Sequence, residues 1–398
     1  MAKLIVHPKV AQFDQEVTIR IEGLEAKQRV TVRNELVNET GGRFESIAEY
    51  EADASGAVDL GTMPSLNGTY TGVEPMGLFW SLDPVPGQRR GIRLLKQNAS
   101  LPVDAHLSVL HLDGNIIAEE SIVRTFMPPG MTRITVDEAG IKGRLFVPPG
   151  KGPFPAVIDM YGGVGGLVEH RASLLAANGF IVLALAYFGY EGLPDEMRLE
   201  MEYFQKSIAW FIRHSKVQAG AGIGIVGISK GGELAMYLST LCPEVKVYHW
   251  TTITQRKFRF RSEQWYLMVG RLSSLGDIAL LEGNNSKQSS KFEKTNAHFL
   301  IVTGQGDPIV TPRCQNFGVE RLRDLGKHVT QLSYPSAGHL LEPPFTPFCG
   351  ETYFKSPGCY INWGGEKLAQ MKAQDDMWPK IIKFLHETLK VDTISSQL

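Results

Sequence analysis

Hydrophobic and polar positions follow two different rhythms along this chain. Val17-Thr18-Ile19-Arg20-Ile21 and Arg29-Val30-Thr31-Val32-Arg33 switch between apolar and polar at every step. A period of two is what a strand shows when one face is buried and the other is wet. Leu107-Ser108-Val109-Leu110-His111-Leu112 leads into Asp113-Gly114, a favoured hairpin turn, and then into Ile116-Ile117. Short strands divided by Gly, Pro and Asn clusters predict an all-β, immunoglobulin-like sandwich of about seven strands over residues 1–127. Nothing in that stretch reads as a nucleophile, a metal site or a phosphate loop. A scaffold or substrate-shaping role is expected of it.

The Pro- and Gly-rich segment from Met127 to Gly150 is expected to carry the domain boundary, and the rhythm changes after it. Ala156–Met160, Phe180–Tyr187, Ile223–Ile228, Val245–Thr251, Phe299–Thr303 and Gln331–Tyr334 read as strands, the first three of them almost wholly apolar. Continuous apolar runs of that length suit strands buried on both faces of a parallel sheet. Between them lie helical patterns. Arg171–Asn178 is closed by Gly179, and Met197, Met201, Phe204, Ile208 and Phe211 recur at helical spacing after Pro194. Met377–Leu389 is expected to be a closing amphipathic helix. Alternating strand and helix over residues 128–398 predicts an α/β domain with a mainly parallel sheet.

Composition narrows the function classes. Of 398 residues, 43% are hydrophobic and 21% charged, which excludes wholesale disorder. Lys plus Arg number 41 against 42 Asp plus Glu, so bulk charge gives no grip on nucleic acid. The longest apolar stretch, Phe180–Phe188, is about half of a membrane span. Cys242, Cys314, Cys349 and Cys359 form no C-x-x-C pair and no metal-type spacing, so reduced thiols and no metal are expected. No cofactor is expected either. Charged residues interrupt the first fifteen positions, unlike a secretory or transit signal. The final Ser396-Gln397-Leu398 is similar to the tripeptide read by a peroxisomal import receptor, which predicts a peroxisomal location, with the cytosol as the alternative. Arg256-Lys257-Phe258-Arg259-Phe260-Arg261 reads first as a solvated basic face, and second as an attraction for a polyanionic substrate handle, such as the phosphates of coenzyme A.

Gly227-Ile228-Ser229-Lys230-Gly231 fits G-x-S-x-G, and its context is right: an apolar strand ends at Ile228 and a helix can continue from Glu233. In this turn the glycines let strand and helix backbones pass closely, and the helix N-terminus aims its N–H groups at whatever Ser229 attacks. A serine hydroxyl needs a base, and the base needs an orienting acid. In chain order, Asp307 follows the strand Phe299–Thr303, and His339 follows the strand Gln331–Tyr334. Both sit at strand ends, where such folds gather their sites. His298 and His386 read as structural. Oxyanion donors are expected from backbone N–H groups of Tyr161, Gly162 and Gly163, and of Lys230 after the nucleophile. A dinucleotide loop competes for the glycines, but the spacing is not G-x-G-x-x-G.

With these residues in hand, the sequence resembles the acyl-CoA thioesterase and bile acid-CoA:amino acid N-acyltransferase family. The likeness runs through Tyr70-Thr71-Gly72-Val73-Glu74-Pro75-Met76-Gly77-Leu78-Phe79-Trp80, Arg171-Ala172-Ser173-Leu174-Leu175, and Gly227 to Leu234. It continues in Gly338-His339-Leu340-Leu341-Glu342-Pro343-Pro344 and Trp363-Gly364-Gly365-Glu366. The resemblance implies an N-terminal β-sandwich, a C-terminal α/β-hydrolase domain, an acyl-CoA substrate and a triad falling on Ser229, Asp307 and His339. The bile-acid conjugating branch is known for cysteine at the nucleophile position, whereas this chain has serine, which favours hydrolysis of acyl-CoA to free acid and coenzyme A. Transfer of the acyl group to glycine or taurine is the second reading. A non-catalytic binding module on a hydrolase fold is the third, and the complete set of Ser, Asp and His in order stands against it.

Overall fold

The computed structural model describes residues 1–163, 165–251, 292–354 and 359–390. Two compact units divide the chain: Met1–Pro128 with Glu342–Tyr353, and Pro129–Leu341 with Phe354–Leu398. Contiguous domains 1–127 and 128–398 therefore miss one excursion, Glu342–Tyr353, which belongs to the first unit. Ionic contacts anchor it there, Arg93 to Glu342 and Arg90 to Glu351. Pairs so distant in sequence leave no periodic signal.

In the first unit, β1 (Lys3–His7), β3 (Thr18–Glu22) and β6 (Val58–Asp59) form one sheet. The other runs β2 (Val10–Gln12), β10 (Ile116–Thr125), β9 (Val103–Leu110), β4 (Arg29–Val37), β5 (Arg43–Glu51) and β7 (Asn67–Gly68), with β8 (Asp83–Pro84) also on β5. These two sheets thus hold ten strands among the described residues, not about seven, because several are only two or three residues long. Along β4 burial alternates, with Val30, Val32, Asn34 and Leu36 inward. Asn34 is tolerated inside because its amide donates to the carbonyl of Leu78 at 2.9 Å, as does the Ser46 hydroxyl. Leu78 lies in a single helical turn, Gly77–Trp80, where a Cβ on Gly77 would stand 2.3 Å from the Tyr70 ring. Arg124 is buried too, donating to the carbonyls of Phe13 and Gln15 at 2.8 and 2.6 Å.

The second unit is built on an eight-stranded sheet in the order β11 (Thr132–Glu138), β12 (Ile141–Val147), β14 (Ile181–Ala186), β13 (Ala156–Met160), β15 (Ile223–Ile228), β16 (Val245–Thr251), β17 (His298–Gly304) and β18 (Val329–Tyr334). β12 pairs antiparallel with β11 and β14, and from β14 to β18 every pairing is parallel. All residues of β13, β14 and β15 are buried, as their continuous apolar runs require. Helices His170–Ala177, Met201–Phe211, Lys230–Leu241 and Pro312–Asp324 connect parallel strands, and Lys367–Thr388 follows. The two leading strands lie inside the segment expected to be boundary. Flanking Pro and Gly dominate that segment's composition, yet Ala139 and Gly140, at φ 53° and 79°, close a two-residue hairpin within it.

Two helices start elsewhere than the periodicity suggests. Met197 matches the apolar stripe of its neighbour, but the helix begins at Met201. The closing helix begins at Lys367, ten residues before the expected Met377, and runs through Pro379. Its early buried face includes Gln370 and Gln374, polar residues that interrupt the stripe an apolar pattern search follows. Among the described residues no helix is long and apolar enough to cross a membrane.

Asp159 on β13 and Arg171 on the next helix form a buried ion pair at 2.7 Å, and Arg171 also donates to the carbonyl of Met160. The pair locks helix to strand directly under the loop that follows β13. Removing one partner of a buried pair strands the other charge, so Arg171→Met should cost about 3–5 kcal/mol. Adding Asp159→Leu should recover most of that loss. Denaturant unfolding of the two variants checks this, and a single substitution within about 1 kcal/mol of wild type would refute the lock.

Candidate active site

Ser229 stands between the end of β15 and the start of the helix Lys230–Leu241, at φ 53° and ψ −121°. A non-glycine residue rarely holds a positive φ, and here the surrounding backbone imposes it. A Cβ on Gly227 would come within 2.5 Å of the Gly231 and Gly232 backbone. One on Gly231 would come within 2.2 Å of the Met160 carbonyl oxygen. The helix thus starts against the end of β13, and the carbonyl of Ser229 accepts the N–H groups of Gly232 and Glu233 at 3.0 and 3.2 Å. Lys230 is buried, with its ammonium on Glu233 at 2.7 Å.

Tyr161, Gly162 and Gly163 leave the end of β13 and pass against the serine. A Cβ on Gly162 would lie 3.0 Å from Ser229 Cβ and 3.6 Å from its Oγ. Gly163 has the Met197 methyl as its neighbour, which is where that methionine goes instead of into the helix. The buried hydroxyl of Tyr187 donates to the carbonyls of both Tyr161 and Gly162, the latter at 2.7 Å. Those two peptide planes carry the N–H groups of Gly162 and Gly163. Because a trans peptide holds N–H opposite C=O, one phenol fixes the direction of both donors. The sequence reading took Tyr187 only as the end of an apolar strand.

Asp307 follows β17 and is buried. Its Oδ1 accepts the N–H groups of Ile309 and Val310 at 2.7 and 3.0 Å. Its Oδ2 takes the Gln315 amide at 3.4 Å and His339 Nδ1 at 2.9 Å. These donors aim the carboxylate at the ring. With Nδ1–H engaged, His339 Nε2 is left as the acceptor, and it is buried without a hydrogen-bond partner. The structure therefore brings Asp307 to His339 and Gly162 to Ser229. Catalytic hydrogen bonds are often completed only when substrate is bound, so an open Nε2 suits a base before reaction.

Glycines also lock the loops that hold the imidazole. A Cβ on Gly304 would meet the carbonyls of Gly338 and Ala337 at 2.4 and 2.5 Å. One on Gly338 would meet the Gly364 carbonyl at 2.4 Å, and one on Gly364 the Gly306 carbonyl at 2.1 Å. Trp363 stacks on the His339 ring at 5.2 Å, and its carbonyl accepts the His339 N–H at 2.8 Å. Gln315 and Gln370 carry no motif in the sequence, and Trp363 enters there only within the likeness Trp363-Gly364-Gly365-Glu366, with no role attached. His298 stacks on His328, and His386 meets the Asn178 carbonyl, so neither joins this cluster. Arg256–Arg261 and Ser396-Gln397-Leu398 lie outside the described residues.

A serine at a strand-to-helix turn beside a glycine loop, with a buried Asp–His pair after later strands, is the arrangement of α/β-hydrolases. Residues 14–138 match the model of the acyl-CoA thioester hydrolase/BAAT N-terminal region. Residues 199–266 and 253–391 match that of the BAAT/acyl-CoA thioester hydrolase C terminal. The chain is 36% identical over 429 residues to a Mus musculus bile acid-CoA:amino acid N-acyltransferase, covering 100% of both. To the Homo sapiens acyl-coenzyme A thioesterase 2, mitochondrial, it is 35% identical, covering 95% of this chain and 82% of that one. To the Mus musculus peroxisomal succinyl-coenzyme A thioesterase it is 34% identical, covering 95% and 94%. Matched in both its N- and C-terminal regions, the chain belongs to the acyl-CoA thioester hydrolase and bile acid-CoA:amino acid N-acyltransferase family.

Proposed function

We propose that this protein hydrolyses acyl-CoA thioesters through Ser229, His339 and Asp307. The observation that carries the reading is the buried His339–Asp307 pair with an open Nε2, in a unit that also presents Ser229 at a strained turn against Gly162. Ser229 Oγ attacks the thioester carbonyl while Nε2 takes its proton. The negative charge that develops on the carbonyl oxygen is met by backbone N–H groups of Lys230 and of the loop Tyr161, Gly162 and Gly163. The C–S bond breaks, the imidazolium returns the proton to the departing coenzyme A thiolate, and an acyl ester remains on Ser229. Water activated by His339 then releases the free acid. The β unit is read as an immunoglobulin-like sandwich accompanying this site. Its support is two sheets with mostly antiparallel neighbours.

Transfer of the acyl group to an amine is the second reading, favoured by the full-length match to a relative named as an N-acyltransferase. Both routes share the acyl-enzyme and differ in the acceptor. A peroxisomal location is proposed as well, supported by the name of one relative.

Ser229→Ala and His339→Ala are each expected to lower kcat by several orders of magnitude while acyl-CoA still binds, because the pair acts as one unit. Asp307→Asn should also be severe, through loss of the imidazole's correct tautomer. Release of free thiol from acyl-CoAs of graded length measures all three. A Ser229→Ala protein with unchanged turnover of every thioester would overturn the reading, and a double mutant far worse than either single would contradict the coupling.

Ser229→Cys should still form an acyl-enzyme, since the thiol is the stronger nucleophile. Its product is a thioester close in free energy to the starting acyl-CoA, so the first step becomes reversible and hydrolysis slows. The share of amide formed with glycine or taurine should rise. An unchanged ratio of free acid to amide at equal amine concentration would move the choice of acceptor away from position 229. For location, an N-terminally labelled full chain should coincide with a peroxisomal marker and lose it when Ser396-Gln397-Leu398 are removed. Cytosolic fluorescence of the intact chain would reject that proposal.

A further inference from the structure

We propose that Gln370 is a positioning residue for His339, clamping the peptide groups on either side of the histidine so that Nε2 keeps one direction through both proton transfers. The proposal rests on the reading of His339 as the base. Gln370 is buried in the first turn of the helix Lys367–Thr388. Its Oε1 accepts the Gly338 N–H at 2.7 Å, and its Nε2 donates to the Leu340 carbonyl. A carboxamide presents an acceptor and a donor on one rigid fork, which is what two neighbouring peptide groups of opposite polarity need. Between those two bonds the N–H of His339 itself is taken by the Trp363 carbonyl. Three consecutive residues of the loop are thus held through their backbones, while Trp363 covers a face of the ring and Asp307 holds Nδ1.

The helix start hangs from the same loop, since Glu366 N–H donates to the Ser336 carbonyl and Gln370 N–H to Glu366. Helix stability alone does not explain a buried glutamine at this position. An apolar side chain of similar length would suit the buried face without the desolvation that an amide brings. What the amide adds is geometric. An imidazole that must accept a proton from Ser229 and hand it on cannot swing away between the two steps, and misplacement by about 1 Å can lose on the order of 100-fold in rate.

Two variants test the clamp. Gln370→Met keeps length and removes both bonds, and should lower kcat by about 10- to 100-fold with KM within about twofold. Gln370→Glu separates positioning from packing. A protonated carboxyl has an acceptor oxygen and a donor hydroxyl and rebuilds the fork. An ionised one only accepts, and repels the Leu340 carbonyl. Burial favours the neutral form. The kcat ratio of Gln370→Glu to Gln370→Met should therefore rise as pH falls, or stay well above one throughout if the acid never ionises. If Gln370→Met does not fold, Gln370→Glu measured against wild type over the same pH range carries the test. A Gln370→Met kcat within twofold of wild type, or equal rates for the two variants at every pH, would overturn the clamp. Ser229→Ala assayed alongside keeps the two failures apart. Turnover surviving in that protein rejects the site itself, whereas a dead Ser229→Ala with unaffected Gln370 variants rejects only the clamp.

Discussion

Everything at the candidate site depends on backbones that touch without side chains between them. The end of β13, the turn at Ser229 and the first turn of the following helix approach so closely that a methyl group at Gly231 would overlap the Met160 carbonyl. That crowding lets Ser229 keep a positive φ, a conformation that costs on the order of 1–3 kcal/mol and persists only where surrounding structure over-determines it. The parallel pairing of β13 with β15 supplies the constraint, because its register sets Met160 beside Gly227. The serine is exposed to substrate by the sheet it ends, and the loop of Tyr161 to Gly163 leaves the neighbouring strand at the same level.

A second interlock does for the imidazole what the first does for the hydroxyl. Gly304 at the end of β17 and Gly338 and Gly364 in two later loops nest their backbones against one another and against Gly306, each closing the space a side chain would need. Polar groups complete it. The Asp307 carboxylate is surrounded by backbone and side-chain donors, and the ring it holds is buried. In such surroundings a hydrogen bond is worth more than in water, and an unsatisfied polar atom is expensive. Two buried atoms of the cluster stay open, His339 Nε2 and Gln315 Oε1, and of these only the imidazole nitrogen is one that a proton transfer could use.

Under the proposed mechanism the open question is the acyl acceptor. Relatives of near-equal identity carry names from both branches of the family, and both activities are compatible with an acyl-enzyme on the proposed nucleophile. What separates the outcomes physically is the stability of the ester or thioester on the nucleophile, together with the access of water or amine to it. If Ser229 is the nucleophile, as proposed, its ester sets the first of these.

The strands that frame the site were legible because their residues are buried on both faces, and burial writes itself into composition: β13 and β15 were delimited to the residue. Ser229 was legible because a local turn imposes local glycines. Asp307 and His339 could be placed after strand ends, since chain order and sheet topology are linked. The hairpin β11–β12 stayed hidden beneath the Pro and Gly that flank it, and the start of the last helix beneath two buried glutamines. The roles of Gln315, Gln370, the Tyr187 hydroxyl and the Trp363 ring could be found only in three dimensions. They act through hydrogen bonds and a ring contact made between different segments of the chain, and such contacts leave no period along it. The sequence by itself determined which side chains could do chemistry. Only the tertiary structure decided how they are held, because holding is done by backbone carbonyls and N–H groups, which every residue carries and no sequence distinguishes.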